Sequence, residues 1–167
     1  MRKTILIVED NLVTLEITAN ALKNDGYDII KVSGIAGAED YFPGKILYQP
    51  FDCLIIDLNM DNTYLTSSNG DAEETKRLKK KTHGGALTGW VWLYNYARSI
   101  INKNVKIIIF SAFIDELEKE MLPSNNKVTN EERAYFKSIE IVPKTEAINS
   151  NTILVDKVNE IFNRKKN

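Results

Sequence analysis

The sequence feature that most constrains the fold is a short apolar run that ends in a single carboxylate, at residues 51–57. A run of this kind, rich in Ile and Leu, is typical of a buried strand that presents an acid where it ends. Three further runs end in polar side chains: residues 4–8 before Glu9-Asp10, residues 105–110 before Ser111, and residues 139–143 before Lys144. The chain therefore carries several candidate strands that end in reactive groups.

Helical segments separate these runs, and a further candidate strand spans residues 27–32. This alternation is typical of a parallel sheet that is covered by helices on both faces. In such sheets, ligands bind beyond the carboxyl ends of the strands. We therefore predict an α/β fold with a doubly wound sheet, in which the polar side chains after the strands meet at one rim.

The predicted helices each bury one stripe of apolar side chains. Either Asp10 or Asn11 can cap the first helix, whose buried stripe is expected to start at Leu12. A later helix is expected to bury Trp90 and to leave Trp92 exposed for a partner, because the apolar residues around Trp90 recur at helical spacing.

Two long segments interrupt this alternation of strands and helices. Residues 60–87 contain turn-forming and charged residues, with little to bury, directly after the central strand. Connections of this length are uncommon in compact domains, and we predict a surface insertion. A second lengthened segment spans about residues 122–138. The length of 167 residues predicts a single domain, residues 1–167.

Charge and cysteine content exclude several classes of protein. The chain has 22 Lys and Arg against 23 Asp and Glu, a net charge of −1, so it has no general attraction to nucleic acid or to an anionic membrane. No apolar run approaches the roughly 18 residues of a membrane span. Cys53 is the only cysteine, so a disulfide within the chain is impossible. We expect a cytoplasmic protein with no nucleic-acid or membrane partner.

The residues at the strand ends resemble those of a known family. The set Glu9-Asp10, Asp57, Ser111-Ala112 and Pro143-Lys144, in this order, is similar to the response-regulator receiver domain, the CheY-like domain of two-component signalling. The resemblance covers the chain except for the two long segments. It implies a flavodoxin-like, five-stranded parallel sheet in the order 2-1-3-4-5.

The acids at the predicted rim point to a metal site. Three carboxylates at one edge repel one another unless a cation lies between them, and Mg²⁺ prefers oxygen ligands. We expect Mg²⁺ to be held by Asp10, Asp57 and the backbone carbonyl of Asn59, with Glu9 acting through water or from the second layer of contacts.

The resemblance implies that Asp57 accepts a phosphoryl group from a phosphohistidine on a sensor histidine kinase or a histidine phosphotransfer protein. Ser111, Ala112 and Lys144 would then bind the phosphoryl group, and Ser111 would move with its loop to change the affinity for a downstream partner. The chain is expected to be a phosphoacceptor rather than an enzyme, with at most self-phosphorylation and self-dephosphorylation.

Two departures from the family pattern favour an alternative. Ile141 stands where the family places an aromatic switch residue, and the insertion separates Asp57 from Thr88-Gly89. Both departures are compatible with a pseudo-receiver that is never phosphorylated and acts as a protein-interaction module.

Two further alternatives match the sequence poorly. A flavodoxin-like cofactor binder needs a phosphate loop rich in Ser, Thr and Gly after the first strand, where this chain has Glu9-Asp10-Asn11. A metal-dependent phosphatase with Asp10 as nucleophile needs a second aspartate at the position of Leu12.

Overall fold

The computed structural model describes residues 2–61, 81–144 and 150–163. These residues form one five-stranded sheet in the order β2-β1-β3-β4-β5, with every neighbouring pair parallel. The strands are β1 Thr4–Val8, β2 Asp28–Val32, β3 Cys53–Ile56, β4 Lys106–Ser111 and β5 Glu140–Pro143. The predicted fold class and strand order are therefore confirmed.

Helices cover both faces of this sheet. The described helices are α1 Leu12–Asn24, α2 Ile35–Glu39, α3 Thr88–Asn95, α4 Ile114–Glu120, α5 Asn130–Lys137 and α6 Ser150–Asn163, with short 3-10 turns at His83–Gly85 and Ala97–Ser99. Side chains of α1 and α6 pack with one face of the strands, and side chains of α2, α3 and α4 pack with the other. This division follows from the alternation of side chains along each strand.

Of the two predicted caps of the first helix, Asn11 is the one that the structure shows. The Asn11 side chain accepts hydrogen bonds from the backbone N–H groups of Val13 and Thr14. Leu12 is 63% exposed, so the expectation that it starts the buried stripe is wrong. The buried positions of α1 start one turn later, at Leu15.

The helix α3 has no solvent-facing side over most of its length, because the residues from Thr88 to Tyr94 are all buried. The expectation that Trp92 is exposed is wrong, since its indole is fully buried. The Trp92 ring stacks on Phe42 with 5.6 Å between centroids, and its Nε1 donates to Glu39 Oε1 at 3.0 Å. Contacts from α2 and the residues after it therefore cover the side that helical spacing alone assigns to solvent.

Most of the predicted insertion, residues 62–80, lies outside the described residues, so this prediction and that of a single domain stay predictions. The lengthened segment at residues 122–138 contains most of the connection after α4 and the whole of α5. Among the helices in the described parts of the chain, none is long and apolar enough to cross a membrane.

Candidate functional site

The polar residues that follow the strands lie at one edge of the sheet. Strand register aligns the ends of β1, β3 and β4, since Ile56 pairs with Val8 on one side and with Ile109 on the other. Ser111 pairs with Pro143 at the end of β5. Because all five strands run in the same direction, the residues after these positions share one rim.

Lys144 joins two acids at this rim. Its Nζ donates to Asp57 Oδ2 at 2.7 Å and also donates to Glu9 Oε2. Glu9 is 4% exposed and Asp57 is 9% exposed, so both carboxylates are largely removed from water. The Lys144 ammonium also lies 5.3 Å from the centroid of the Phe110 ring, within the range of a cation–π contact. One cation therefore offsets the repulsion between two buried anions.

The environment of Glu9 acts on its ionisation in two directions. Burial raises the pKa of the Glu9 carboxyl above its usual value, and the negative charge of Asp57 raises it further. The hydrogen bond and the charge of Lys144 lower the pKa in part, as does the backbone N–H of Asn11, which donates to Glu9 Oε1 at 3.0 Å. The carboxyl thus depends on Lys144 for most of its stabilisation as an anion.

Asp10 and Asn59 lie at the more open part of the rim, and both are exposed. Asp10 Oδ2 accepts the backbone N–H of Asp61 at 3.0 Å, which ties the end of β1 to the loop after β3. In the same loop, the backbone N–H of Asn59 donates to Asp57 Oδ1 at 3.3 Å. The loop after β3 therefore folds back so that its backbone forms a hydrogen bond with the side chain of Asp57.

Ser111 is fully buried at the end of β4. Its Oγ accepts the backbone N–H of Phe113 at 3.2 Å, and its carbonyl accepts the backbone N–H of Lys144 at 2.8 Å. Because the hydroxyl oxygen is the acceptor in the first of these bonds, its own hydrogen remains available to donate. Ser111 and Lys144 are thus held next to each other through the backbone.

Ala112 and Ile141 are the remaining residues that the sequence assigns to the site. Ala112 is exposed and directly follows Ser111. Ile141 is half-buried, pairs with Ile109 in the sheet and packs against the cluster that contains α2, α3 and α4. An aliphatic side chain therefore occupies the position that the family pattern gives to an aromatic.

Gly89 belongs to the site, although sequence reasoning assigned it no role there. A Cβ atom at this position would lie 1.9 Å from the carbonyl oxygen of Asp57, and the Gly89 N–H donates to the Leu58 carbonyl at 2.9 Å. The start of α3 therefore packs directly on the backbone that carries Asp57. The available signal was a glycine at the point where the helical pattern resumes after the insertion.

The donor chemistry at the rim suits a hard cation. Asp10, Asp57, Glu9 and the Asn59 carbonyl all offer oxygen, which is what Mg²⁺ prefers. Within residues 2–61, 81–144 and 150–163, no group of three or more Asp, Glu, His or Cys side chains stands in a geometry that could hold a metal ion. Two of the acids are instead paired with Lys144. The donor types at the rim therefore fit Mg²⁺.

Comparison with solved structures identifies the fold. The phosphorylated cyanobacterial phytochrome response regulator RcpA superposes with a TM-score of 0.54 at 17% identity, covering 100% of this chain and 98% of that one. A receiver domain protein from Clostridium thermocellum gives 0.52 at 16% identity, covering 98% and 97%. The Francisella response regulator 1452 receiver domain gives 0.51 at 16% identity, covering 99% and 100%.

No family model and no curated protein matches the sequence. The structural likeness extends over nearly the whole length of each chain at low identity, so what is shared is the fold. This chain has the fold of response-regulator receiver domains.

Proposed function

We propose that this chain is a receiver that accepts a phosphoryl group on Asp57 and thereby changes its affinity for a partner protein. The observation that carries the proposal is the ammonium of Lys144, which contacts both Glu9 and Asp57 at the rim. The same fold in a response regulator that was solved in its phosphorylated form supports this reading.

The transfer step follows from the groups around Asp57. A carboxylate oxygen of Asp57 forms a bond to phosphorus as the P–N bond of a phosphohistidine breaks. The imidazole leaves with the electron pair of that bond, as a neutral ring when its other nitrogen carries a proton. The product is an acyl phosphate, in which the Asp57 oxygen no longer carries a full negative charge. Lys144 then pairs with the phosphoryl oxygens, and the Ser111 hydroxyl donates to one of them.

Asp10, the Asp57 carboxylate and the backbone carbonyl of Asn59 would hold Mg²⁺, with Glu9 contributing through water. When bound, the ion neutralises charge on the phosphoryl oxygens during transfer. Gly89 keeps the Asp57 backbone in place because no side chain separates α3 from it.

The implied partners are a sensor histidine kinase or a histidine phosphotransfer protein, and a downstream protein that recognises the phosphorylated state. Phosphorylation of Asp57 adds charge at the end of β3, which pairs with β4, and this charge biases a two-state equilibrium of the Ser111 loop. The chain then acts as a phosphoacceptor rather than as an enzyme with a separate substrate. A reducing, cytoplasmic setting suits the free and buried Cys53.

The test is phosphorylation by a small phosphodonor, acetyl phosphate, in the presence of Mg²⁺, followed by intact-mass measurement. We expect a mass increase of one phosphoryl group, which is lost in Asp57→Asn and when Mg²⁺ is chelated. Asp52→Asn is the matched control, because Asp52 lies at the opposite end of β3 and pairs with Lys3 at 2.6 Å. This variant is expected to be phosphorylated like the wild type.

The second candidate function is a pseudo-receiver, an interaction module that is never phosphorylated. It is favoured by the aliphatic Ile141 and by the absence of a cluster of three metal-binding acids among the described residues. A folded wild-type protein that gains no mass with acetyl phosphate and Mg²⁺ would decide for this candidate and against phosphoryl transfer.

A further inference from the structure

A cavity of about 460 Å³ lies between the 3-10 turn at His83–Gly85, α3, the end of α4 and the start of α5. None of the residues assigned to the rim lines it. Its size falls within the range of small-molecule pockets, roughly 300–1,000 Å³. Its apolar wall consists of Leu87, Trp90, Val91, Met121 and Val128. The two long segments, residues 60–87 and 122–138, both contribute to it.

One buried carboxylate lies in this apolar wall. Glu132 is 6% exposed, and its Oε1 accepts a hydrogen bond from Trp90 Nε1 at 2.9 Å. It lies in the first turn of α5, at the end of the helix where the dipole attracts negative charge. A single neutral N–H offsets only part of the free energy needed to bury an anion. Among the described residues, none forms an ion pair with Glu132.

The other polar groups of the cavity already have partners or face water. Glu120 Oε1 pairs with His83 Nε2 at 3.0 Å, and Glu120 Oε2 accepts from Asn125 Nδ2 at 2.8 Å. Lys81 and Lys127 are exposed at the mouth, where solvent ions screen their charge. A ligand in the cavity would therefore respond mainly to the negative charge of Glu132, because electrostatic interactions are stronger where water is excluded.

We propose that this cavity binds a small organic cation, a primary ammonium group carried on an apolar body. The ammonium pairs with the Glu132 carboxylate beside the Trp90 indole, and the apolar body lies against Met121 and Val128. An anionic ligand meets the buried carboxylate and is repelled, and a neutral ligand leaves the carboxylate without a counter-charge. The proposal goes beyond phosphoryl transfer and does not depend on it.

The test is a calorimetric titration of the full chain with phenethylammonium. Phenethyl alcohol is the neutral analogue of the same shape, and hydrocinnamate is the anionic one. We expect saturable binding of the ammonium, binding of the alcohol that is at least about tenfold weaker, as the loss of a buried charge pair implies, and no binding of the anion.

Two neighbouring glutamates give a matched pair of variants. Glu132→Gln keeps the shape and removes the charge, and we expect at least about tenfold weaker binding of phenethylammonium. Glu131→Gln changes an exposed side chain that pairs with Arg98 at 2.8 Å, and binding should stay within about twofold of the wild type. If Glu132→Gln does not fold, Val128→Trp replaces it, since a larger side chain on the wall fills the cavity and should abolish binding.

The proposal is overturned by equal affinity for the ammonium and the alcohol, or by the absence of saturable binding to the folded wild type. It is equally overturned if Glu132→Gln, or Val128→Trp in its place, binds phenethylammonium as tightly as the wild type does.

Discussion

The ammonium of Lys144 lies 2.7 Å from Oδ2 of Asp57, although 87 positions separate the two residues in the sequence. Both follow a strand end, and the parallel sheet brings the two ends to one rim. Glu9 shares the same ammonium, so the removal of one cation would leave two buried anions without compensation. This relationship makes Lys144 important for stability as well as for the proposed chemistry.

Lys144→Met tests this dependence. The variant keeps a long side chain but leaves Glu9 and Asp57 buried without a cation, and we expect the free energy of unfolding at neutral pH to fall by about 3 kcal/mol. Urea unfolding followed by tryptophan fluorescence measures the change. Lys157→Met is the control, because Lys157 pairs with Glu160 at the surface and should lose less than about 1 kcal/mol. Equal losses in the two variants would contradict the role of Lys144.

Addition of Mg²⁺ gives a separate prediction about the rim. If Asp10 and Asp57 hold the ion in the folded state only, Mg²⁺ should raise the free energy of unfolding, by about 2.7 kcal/mol at a hundred times its dissociation constant. Urea unfolding in Mg²⁺ and in NaCl of the same ionic strength measures the difference. The effect should disappear in Asp10→Asn and persist in Asp52→Asn. A wild type that responds equally to both salts would argue against a metal site.

The convergence at the rim could be predicted from the sequence because it follows from strand direction alone. Once the apolar runs are assigned to parallel strands, Asp57 and Lys144 must end at the same edge, whatever the helices do. The strand order came from the resemblance to receiver domains, since periodicity does not tell which strands are neighbours.

The details that the sequence did not predict depend on contacts between distant elements. Trp92 is buried because Glu39 and Phe42 cover it, and helical spacing carries no information about such a partner. In the same way, Lys144 contacts Glu9, while Asp10 accepts a backbone hydrogen bond. Which of the two adjacent acids contacts Lys144 depends on which side chain points inward after β1, and in this fold Glu9 is buried and Asp10 is exposed.

The buried hydroxyl of Tyr135 leads to a prediction about the stability of the protein at alkaline pH. Burial raises the pKa of Tyr135 to about 12, and its buried hydroxyl has no hydrogen-bond partner among the residues that the structure describes. The same phenol has a pKa of about 10 in an unfolded chain. Between these two values the unfolded state loses the proton and the folded state keeps it, so this tyrosine lowers stability as the pH rises.

We expect the free energy of unfolding to fall less in Tyr135→Phe than in the wild type between neutral pH and a pH near 11, which lies above the phenol pKa of about 10 in the unfolded state. Urea unfolding at the two pH values measures this difference. At neutral pH, the variant should be as stable as the wild type or more stable by up to about 1 kcal/mol, because an unpaired buried hydroxyl is removed. Tyr48→Phe changes a side chain that is 50% exposed and is the control. The same alkaline loss in Tyr135→Phe as in the wild type would refute the assignment.

Gly89→Ala tests the contact between α3 and the backbone of Asp57. The new Cβ would lie 1.9 Å from the Asp57 carbonyl oxygen, a backbone atom that cannot rotate away, so α3 or the end of β3 has to shift. We expect a loss of about 2 kcal/mol in urea unfolding and less phosphorylation by acetyl phosphate. Gly37→Ala in α2 is the matched control, because its Cβ also meets a close neighbour, a methyl group of Val32 at 2.7 Å, but this neighbour is a side chain on β2 and not the backbone of Asp57. Since alanine also favours a helix over glycine, the control should lose less stability and keep phosphorylation. If both variants unfold at the same urea concentration and are phosphorylated equally, the close packing of Gly89 on Asp57 has no bearing on the site.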